Sequence, residues 1–448
     1  MLTFFLKQYL KPVSLKFAEF HSPHALTALF NREQLEQTGS HQNRPLPVLS
    51  SLPSILFLVR FFMEKLSLLA AAMRKKAGVQ PYALLWTMTM YITRNIRKFI
   101  YQIIYRFFYM VCRQKAICFI YGPGSHLYSN LAPVQAIAEH KLPVLVVADG
   151  KDSCFSALKK LACSKVLLLD QTNKYVSNIS LGKKTTCIQC WHAGGAYKKV
   201  GFDAKRSGFS QSKEEKRITR LHKNIHYFVC SSEHVADIYA HAFHLPRQKM
   251  LTFGLPRMDS VLAQAAGNDQ EKEAVILYAP TFRTGSDGRR YMPAMPDAEF
   301  LRQFFKDAGD IRFAFRSHPT VAHAQAAPGW ENWSSMPQAE ALAQASVLIT
   351  DFSSVFFDFL AYCRPVVFYL RDMDAYTADD RKLYFDPRQY FAETVCDKPE
   401  ELGQILRAYF KRKMDYSAFW NMEMGACDGH SAQRLFSFIE QLIVGTTS

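Results

Sequence analysis

The sequence predicts an α/β fold in which two consecutive parallel-sheet domains flank a cleft, preceded by a basic helical extension. Three observations carry this. From residue 116 short apolar, β-rich runs alternate with helical stretches, the pattern of βαβ units and a parallel sheet. A second series of such runs starts at residue 274. The positive charge is segregated: residues 1–116 hold 8 Lys and 8 Arg against 4 Glu, a net +12 of the chain's formal +16. At 448 residues, with 49% hydrophobic and 21% charged residues, the chain has room for two cored domains plus an extension.

Residues 1–50 are mixed and carry no pattern. "LPSILFLVRFFMEKLSLLAAAMRKK" (52–76) reads as an apolar helix interrupted by Arg60, Glu64 and Lys65. "YALLWTMTMYITRNIRKFIYQIIYRFFYMV" (82–111) has no Gly or Pro and sets Ile92, Ile96, Phe99, Ile103 and Phe107 at helical spacing among Arg94, Arg97, Lys98 and Arg106. The longest uncharged run, 77–93, is broken by Gly78 and Pro81, so neither segment offers the ~20 apolar residues of a spanning helix. Aromatic, Arg/Lys-rich helices with a wide apolar face suit the plane of an anionic bilayer. Packing of these helices on the body, or on a second subunit in an oligomer, is the alternative. Charge placed in apolar helices rather than in a groove-lining motif argues against nucleic acid.

The first series comprises "AICFIYG", "PVLVVADG", "KVLLLD", "TTCIQCW" and "HYFVCSS", and places an N-terminal domain at 116–256 after an extension at 1–115. The second, "AVILYAP", "IRFAFRSHP", "SVLITD" and "PVVFYL", places a C-terminal domain at 257–448. Ligands of such sheets lie beyond the carboxyl ends of the strands. The residues found there are His192 followed by Gly194 and Gly195; Thr281 and Arg283; Arg316 and His318; and Asp351, Ser353 and Ser354 at the start of a helix. A helix start with two hydroxyls and free N–H groups suits phosphate, although Asp351 or Ser353 at that position is equally an ordinary N-cap. Arg283 and Arg316 at neighbouring strand ends favour a polyanion pocket. His192 and His318, one from each domain, are candidates for acid/base work and charge stabilisation across the cleft.

The N-terminus has too short an apolar run for a signal peptide, so the ten cysteines are expected as free thiols. Cys187 and Cys190 with His192 fall short of a four-ligand zinc site, and are read as buried strand thiols.

The segments "WHAGGAYKKVGFD" (191–203), "GLPRMDS" (254–260), "ILYAPTFR" (276–283), "SHP" (317–319) and "LITDFSSVFFDFL" (348–360), in this order, resemble the CDP-glycerol glycerophosphotransferase family of teichoic-acid primases and polymerases. The resemblance covers roughly residues 115–440 and leaves the extension unaccounted for. It implies a GT-B fold, two Rossmann-like domains facing one another. It also implies transfer of a polyol phosphate, glycerol or ribitol phosphate, from a CDP-linked donor to a lipid-linked or polymer acceptor with release of CMP, by an enzyme peripheral to the cytoplasmic face of the membrane. On that reading His192 deprotonates the acceptor hydroxyl. His318, Thr281, Arg283, Arg316, Asp351, Ser353, Ser354 and Arg381 hold the donor, and Gly194, Gly195, Lys198 and Lys199 meet the acceptor. No metal is required, and a Mg2+ requirement is left open. The chain departs from the family in reading His192-Ala193-Gly194 where many members have His-Gly-Thr, and Arg381-Lys382 where Arg-Gly is usual. The competing reading is a GT-B glycosyltransferase using a nucleotide sugar for capsule or lipopolysaccharide synthesis, which needs a carboxylate poised at the sugar.

Overall fold

A computed structural model of the chain describes residues 80–122, 129–148, 150–204, 211–267, 274–285, 289–307, 309–318, 321, 324–379 and 382–445, with side chains from residue 92 onward. The segment 52–76 and Arg381 lie outside the described residues. Residues 1–93 and 94–448 form two compact units. Both sheets belong to the second unit, and one helix begins in the first and continues into the second.

That helix, α1 (Gln80–Val111), runs through the whole apolar-basic segment as the spacing predicts. Its C-terminal half packs on the body through one face: Tyr105 and Phe108 are buried, the Tyr105 and Tyr109 hydroxyls accept the N–H groups of Gly182 and Lys184 at 3.0 and 2.9 Å, and Phe108 meets Phe155 edge-on. Phe99, Ile103, Met110 and Val111 are exposed. Among the described residues no helix is long and apolar enough to cross a membrane.

The α/β expectation holds in both series. Strands β1 (Ala116–Tyr121), β2 (Val144–Ala148), β3 (Ser164–Leu169), β4 (Thr186–Gln189), β5 (Tyr227–Val229) and β6 (Met250–Leu251) form one six-stranded sheet in the order β2-β1-β3-β4-β5-β6. All its pairings are parallel. The second sheet takes β7 (Ala274–Tyr278), β10 (Ile311–Phe315), β11 (Glu331–Asn332), β12 (Val347–Thr350), β13 (Val366–Tyr369) and β14 (Val395–Cys396) in the order β11-β10-β7-β12-β13-β14, again parallel throughout. A short antiparallel ribbon, β8 (Arg283–Thr284) with β9 (Arg290–Tyr291), leaves the second sheet just after β7. Helices cover both faces of each sheet, so the strands read as continuous apolar runs rather than alternating ones; all of β12 is buried. Strand order reverses at β1/β3 and at β7/β12, where an open α/β sheet leaves a crevice at its carboxyl edge.

The last helix among the described residues is α2 (Ser431–Val444). It returns to the first sheet, where Leu435, Phe436 and Ile439 join a core with Ile117, Phe119, Val166 and Leu168. Asp259, just after the crossover between the two halves, caps it by accepting the N–H groups of Ser431 and Ala432 at 2.9 and 2.8 Å. Residues of α2 thus pack on the first sheet although they follow the second in the chain. Cys187 and Cys190 are buried, free strand-end thiols, as read from the sequence.

Candidate active site

The turn after β4 is built to hold one side chain out. Trp191 takes a left-handed φ of +55°, a conformation that costs a non-glycine residue about 1–3 kcal/mol unless its surroundings impose it. They do. Its N–H donates to Gln189 Oε1 at 3.0 Å and its carbonyl accepts Asn130 Nδ2 at 2.9 Å, while its indole lies among Phe228, Tyr239 and Phe243. His192, next in the chain, is exposed, and its Nδ1 lies 3.3 Å from the Asp170 carbonyl. A carbonyl only accepts, so in this contact Nδ1 is the donor, and the neutral ring then has its lone pair on Nε2. This is the tautomer a general base needs.

Gly194 and Gly195, expected at the acceptor, sit in close contact with the C-terminal half. Both are buried. A Cβ on Gly194 would stand 2.7 Å from Phe357 Cβ, and one on Gly195 only 2.2 Å from the Phe357 ring. Gly195 also has φ +53°. The glycines let this turn close onto the C-terminal half. The Tyr239 hydroxyl secures the turn by donating to the Gly195 carbonyl at 2.8 Å. Tyr197 then plugs into the C-terminal core beside Phe356, Phe368 and Phe385. Lys198 and Lys199 run antiparallel to residues 382–383, with Lys199 N–H donating to the Lys382 carbonyl at 2.8 Å. Lys198 Nζ donates to the Tyr376 hydroxyl at 2.9 Å. Both lysines, expected at the acceptor, thus lie against the C-terminal half.

In that half two expected donor ligands are committed to each other. Arg283 Nε and Nη2 donate to Asp372 at 2.6 and 2.8 Å, Nη2 also to Asp351 Oδ2 at 2.8 Å, and Nη1 to the Thr281 carbonyl at 2.7 Å. Burial works against its charge, yet Asp372 and Asp351 outweigh it and hold its pKa above the ordinary arginine value. Asp351 Oδ1 accepts the N–H groups of Thr281 and Phe352 at 2.7 and 2.5 Å. Arg283 and Asp351 are thus held to each other near the β7/β12 switch; a guanidinium fork fits carboxylates as well as phosphate. Ser353 Oγ accepts Val355 N–H at 3.4 Å, a local cap, and the helix it opens spans only Val355–Phe359. Ser353 and Ser354 are half-buried. The Thr281 hydroxyl is buried and has no hydrogen-bond partner among the described residues.

What the crevice gathers is cationic. His318 packs edge-on against Phe282, and Arg290 lies over that same ring, 4.6 Å from its centroid. Burial, then Lys198, His192, Arg290 and Arg316, push the His318 imidazole down to about 3. His318 is thus neutral at working pH, and the two sequence-predicted histidines share one electrostatic site. Arg290, from the β8–β9 ribbon, is the member that sequence reading missed; no strand-end signal marked it. Lys198, Arg290 and Arg316 thus act, with the His192 imidazole, on the one group His318. Among the described residues no three His, Cys, Asp or Glu side chains are grouped to hold a metal ion.

A second missed residue is Glu423, 1% exposed. Its Oε2 accepts Ala196 N–H at 2.8 Å and its Oε1 lies 3.6 Å from His234 Nε2, so it ties the His192 turn to the C-terminal half. Burial lifts its carboxyl from 4.5 to about 7, against the opposing Ala196 hydrogen bond. The folded chain therefore keeps this proton longer than the unfolded chain, and the contribution is full below pH 4.5 and lost as pH rises through 7. Glu423→Gln keeps an acceptor for Ala196 and removes the titration. The variant is expected to match the parent near pH 4.5 and exceed it at pH 8 by up to about 3 kcal/mol. Thermal midpoints across pH 4.5–8 check this, and parallel curves for the two proteins would sink it.

The chain is similar to several known proteins. The model of CDP-Glycerol:Poly(glycerophosphate) glycerophosphotransferase matches residues 136–441. A teichoic acid glycerol-phosphate primase of Bacillus spizizenii (strain ATCC 23059 / NRRL B-14472 / W23) is 27% identical over 301 residues, covering 62% of this chain and 74% of that one. A teichoic acid ribitol-phosphate primase of the same strain is 28% identical over 305 residues, covering 64% and 78%. Among solved structures, the wall teichoic acid polymerase TagF superposes with a TM-score of 0.64 at 20% identity, over 79% of this chain and 95% of that one, a likeness of fold.

Proposed function

The chain belongs to the CDP-glycerol:poly(glycerophosphate) glycerophosphotransferase family, and from that premise we propose that it moves a polyol phosphate from a CDP-linked donor to a hydroxyl of a lipid-linked or polymer acceptor, releasing CMP. The observation that carries this reading is the meeting of a base-competent His192 with the cation-lined crevice around His318. His192 Nε2 takes the acceptor proton as the oxygen attacks the polyol phosphorus. The P–O bond to the CMP phosphate breaks, and CMP leaves with that electron pair. His318, Lys198, Arg290 and Arg316 offset the phosphate charge, so the rate comes from positioning and electrostatics. A second reading, sugar transfer, needs a carboxylate at the sugar. Asp351, the strand-end candidate, is turned onto Thr281, Phe352 and Arg283, which favours phosphoryl transfer. The test is CMP release from CDP-glycerol and CDP-ribitol, each with lipid-linked acceptor extract. Release from one donor names the polyol; silence with both, beside nucleoside diphosphate release from UDP-sugars, would overturn the reading.

We further propose that α1 lies on the cytoplasmic surface of an anionic membrane. Phe99, Ile103 and Met110 fall on one helical face, exposed, with Arg106 exposed beside them. Inserting two such side chains is worth about 3 kcal/mol. The double variant Phe99→Glu/Ile103→Glu is expected to lower co-sedimentation with phosphatidylglycerol vesicles at least tenfold. Equal binding by both proteins would count against this surface.

A further inference from the structure

The motif "GLPRMDS" is absorbed by none of the chemistry above, yet its arginine is among the most deeply committed charges in the chain. Arg257, buried at the start of the helix Arg257–Ala266, donates from Nε and Nη2 to both oxygens of buried Asp358, at 2.9 and 2.7 Å. Asp358 belongs to the helix that follows Ser353 and Ser354, and Gln338 Nε2 donates to it at 2.7 Å. On its other side Arg257 donates from its backbone N–H and from Nη1 to Asn130 Oδ1, at 3.2 and 3.3 Å. Asn130 comes from the turn after β1 and is fully buried. Its Nδ2 donates to the carbonyls of Cys190 and Trp191, at 3.2 and 2.9 Å. One continuous chain of hydrogen bonds thus runs from the helix behind the donor-side serines, through the crossover between the halves, to the left-handed residue that precedes His192.

We propose that Asn130 and Arg257 are positioning residues that fix the orientation of His192, anchored by Asp358. This rests on the reading of His192 as the base. Trp191 and its carbonyl set the direction in which the next side chain leaves the turn, and Asn130 is the side chain that holds that carbonyl. Asn130 is itself oriented by Arg257: its oxygen faces the guanidinium, so its amide nitrogen faces the turn. The opposite flip would set Nδ2 against Arg257 and the oxygen against two carbonyls, so the arginine decides which way the amide points. Hydrogen-bonded networks of buried groups such as this one specify a single arrangement. The base on one domain is thereby referenced to the donor helix on the other. A misplacement of about 1 Å in such an arrangement is enough for a roughly hundredfold loss of rate.

The test uses two variants of the full chain. Asn130→Ala removes the link to Trp191 and leaves the Arg257–Asp358 pair intact. Arg257→Met/Asp358→Leu replaces the pair by apolar groups, which leaves no buried charge unpaired. Two readouts are taken at matched folded fraction. The first is the kcat and donor KM of CMP release. The second, which needs no turnover, is the tautomer of His192 from its imidazole 15N shifts, assigned by comparison with His192→Gln. Both variants are expected to show kcat down about 10- to 100-fold with donor KM within about threefold, and His192 15N shifts moved toward mixed tautomers. Unchanged shifts in both variants would overturn the proposal, and so would kcat within threefold of the parent. If the parent releases no CMP, the functional reading fails while the 15N comparison still decides the positioning claim.

Discussion

Replacing His192 by alanine is expected to slow CMP release roughly 10²- to 10⁴-fold, the range a positioned general base contributes, while donor KM changes little. The Asp170 carbonyl faces Nδ1 at 3.3 Å and can only accept from it. His192 acts electrostatically on His318, as do Lys198, Arg290 and Arg316. Alanine removes the proton acceptor and none of the cations, so donor affinity should survive. A residual rate within tenfold of the parent would mean that another group, or water, takes the acceptor proton. A variant that instead loses donor affinity, with kcat intact, would move His192 from base to ligand. Steady-state kinetics over a range of donor concentration separate the two.

The sequence carried the two-sheet architecture because strands buried on both faces are written as short continuous apolar runs, such as "CFI" in β1 and "VLIT" in β12. It singled out His192 and His318 because both follow strands directly, and the strand-end rule needs no knowledge of the partner domain. It failed where a residue's meaning is set by something far away in the chain. Glu423 serves the His192 turn across 227 positions, and Asn130 meets Arg257 across 127; no local spacing announces either. Gly194 and Gly195 were legible as special backbone, but what they accommodate, Phe357, is not adjacent in sequence. Arg283, read as a donor ligand, has its fork filled by Asp351 and Asp372. Residue type at a strand end says that a fork of donors is present, not which oxygens fill it.

Arg283→Ala tests that last distinction, and the expected result is a loss of about 3–5 kcal/mol of stability, the cost of removing one partner from a buried ion pair. The carboxylate left behind at Asp351 is almost wholly buried and that at Asp372 partly so. Asp372 is held below the ordinary carboxylate range by its hydrogen bond from Arg283, and it would lose that support. The Thr281 carbonyl would also lose its donor, and the aromatic pair Phe352–Tyr376, stacked at 3.9 Å beneath the guanidinium, would lose its cover. A second variant, Arg283→Met with Asp351→Asn and Asp372→Asn, keeps the bulk and removes the unpaired charge, and should recover most of the loss. Urea unfolding of the three proteins reads the difference directly. If Arg283→Ala instead unfolds with the parent and only donor KM rises, the guanidinium serves the phosphate after all, and the carboxylates seen around it are what it releases when the donor arrives.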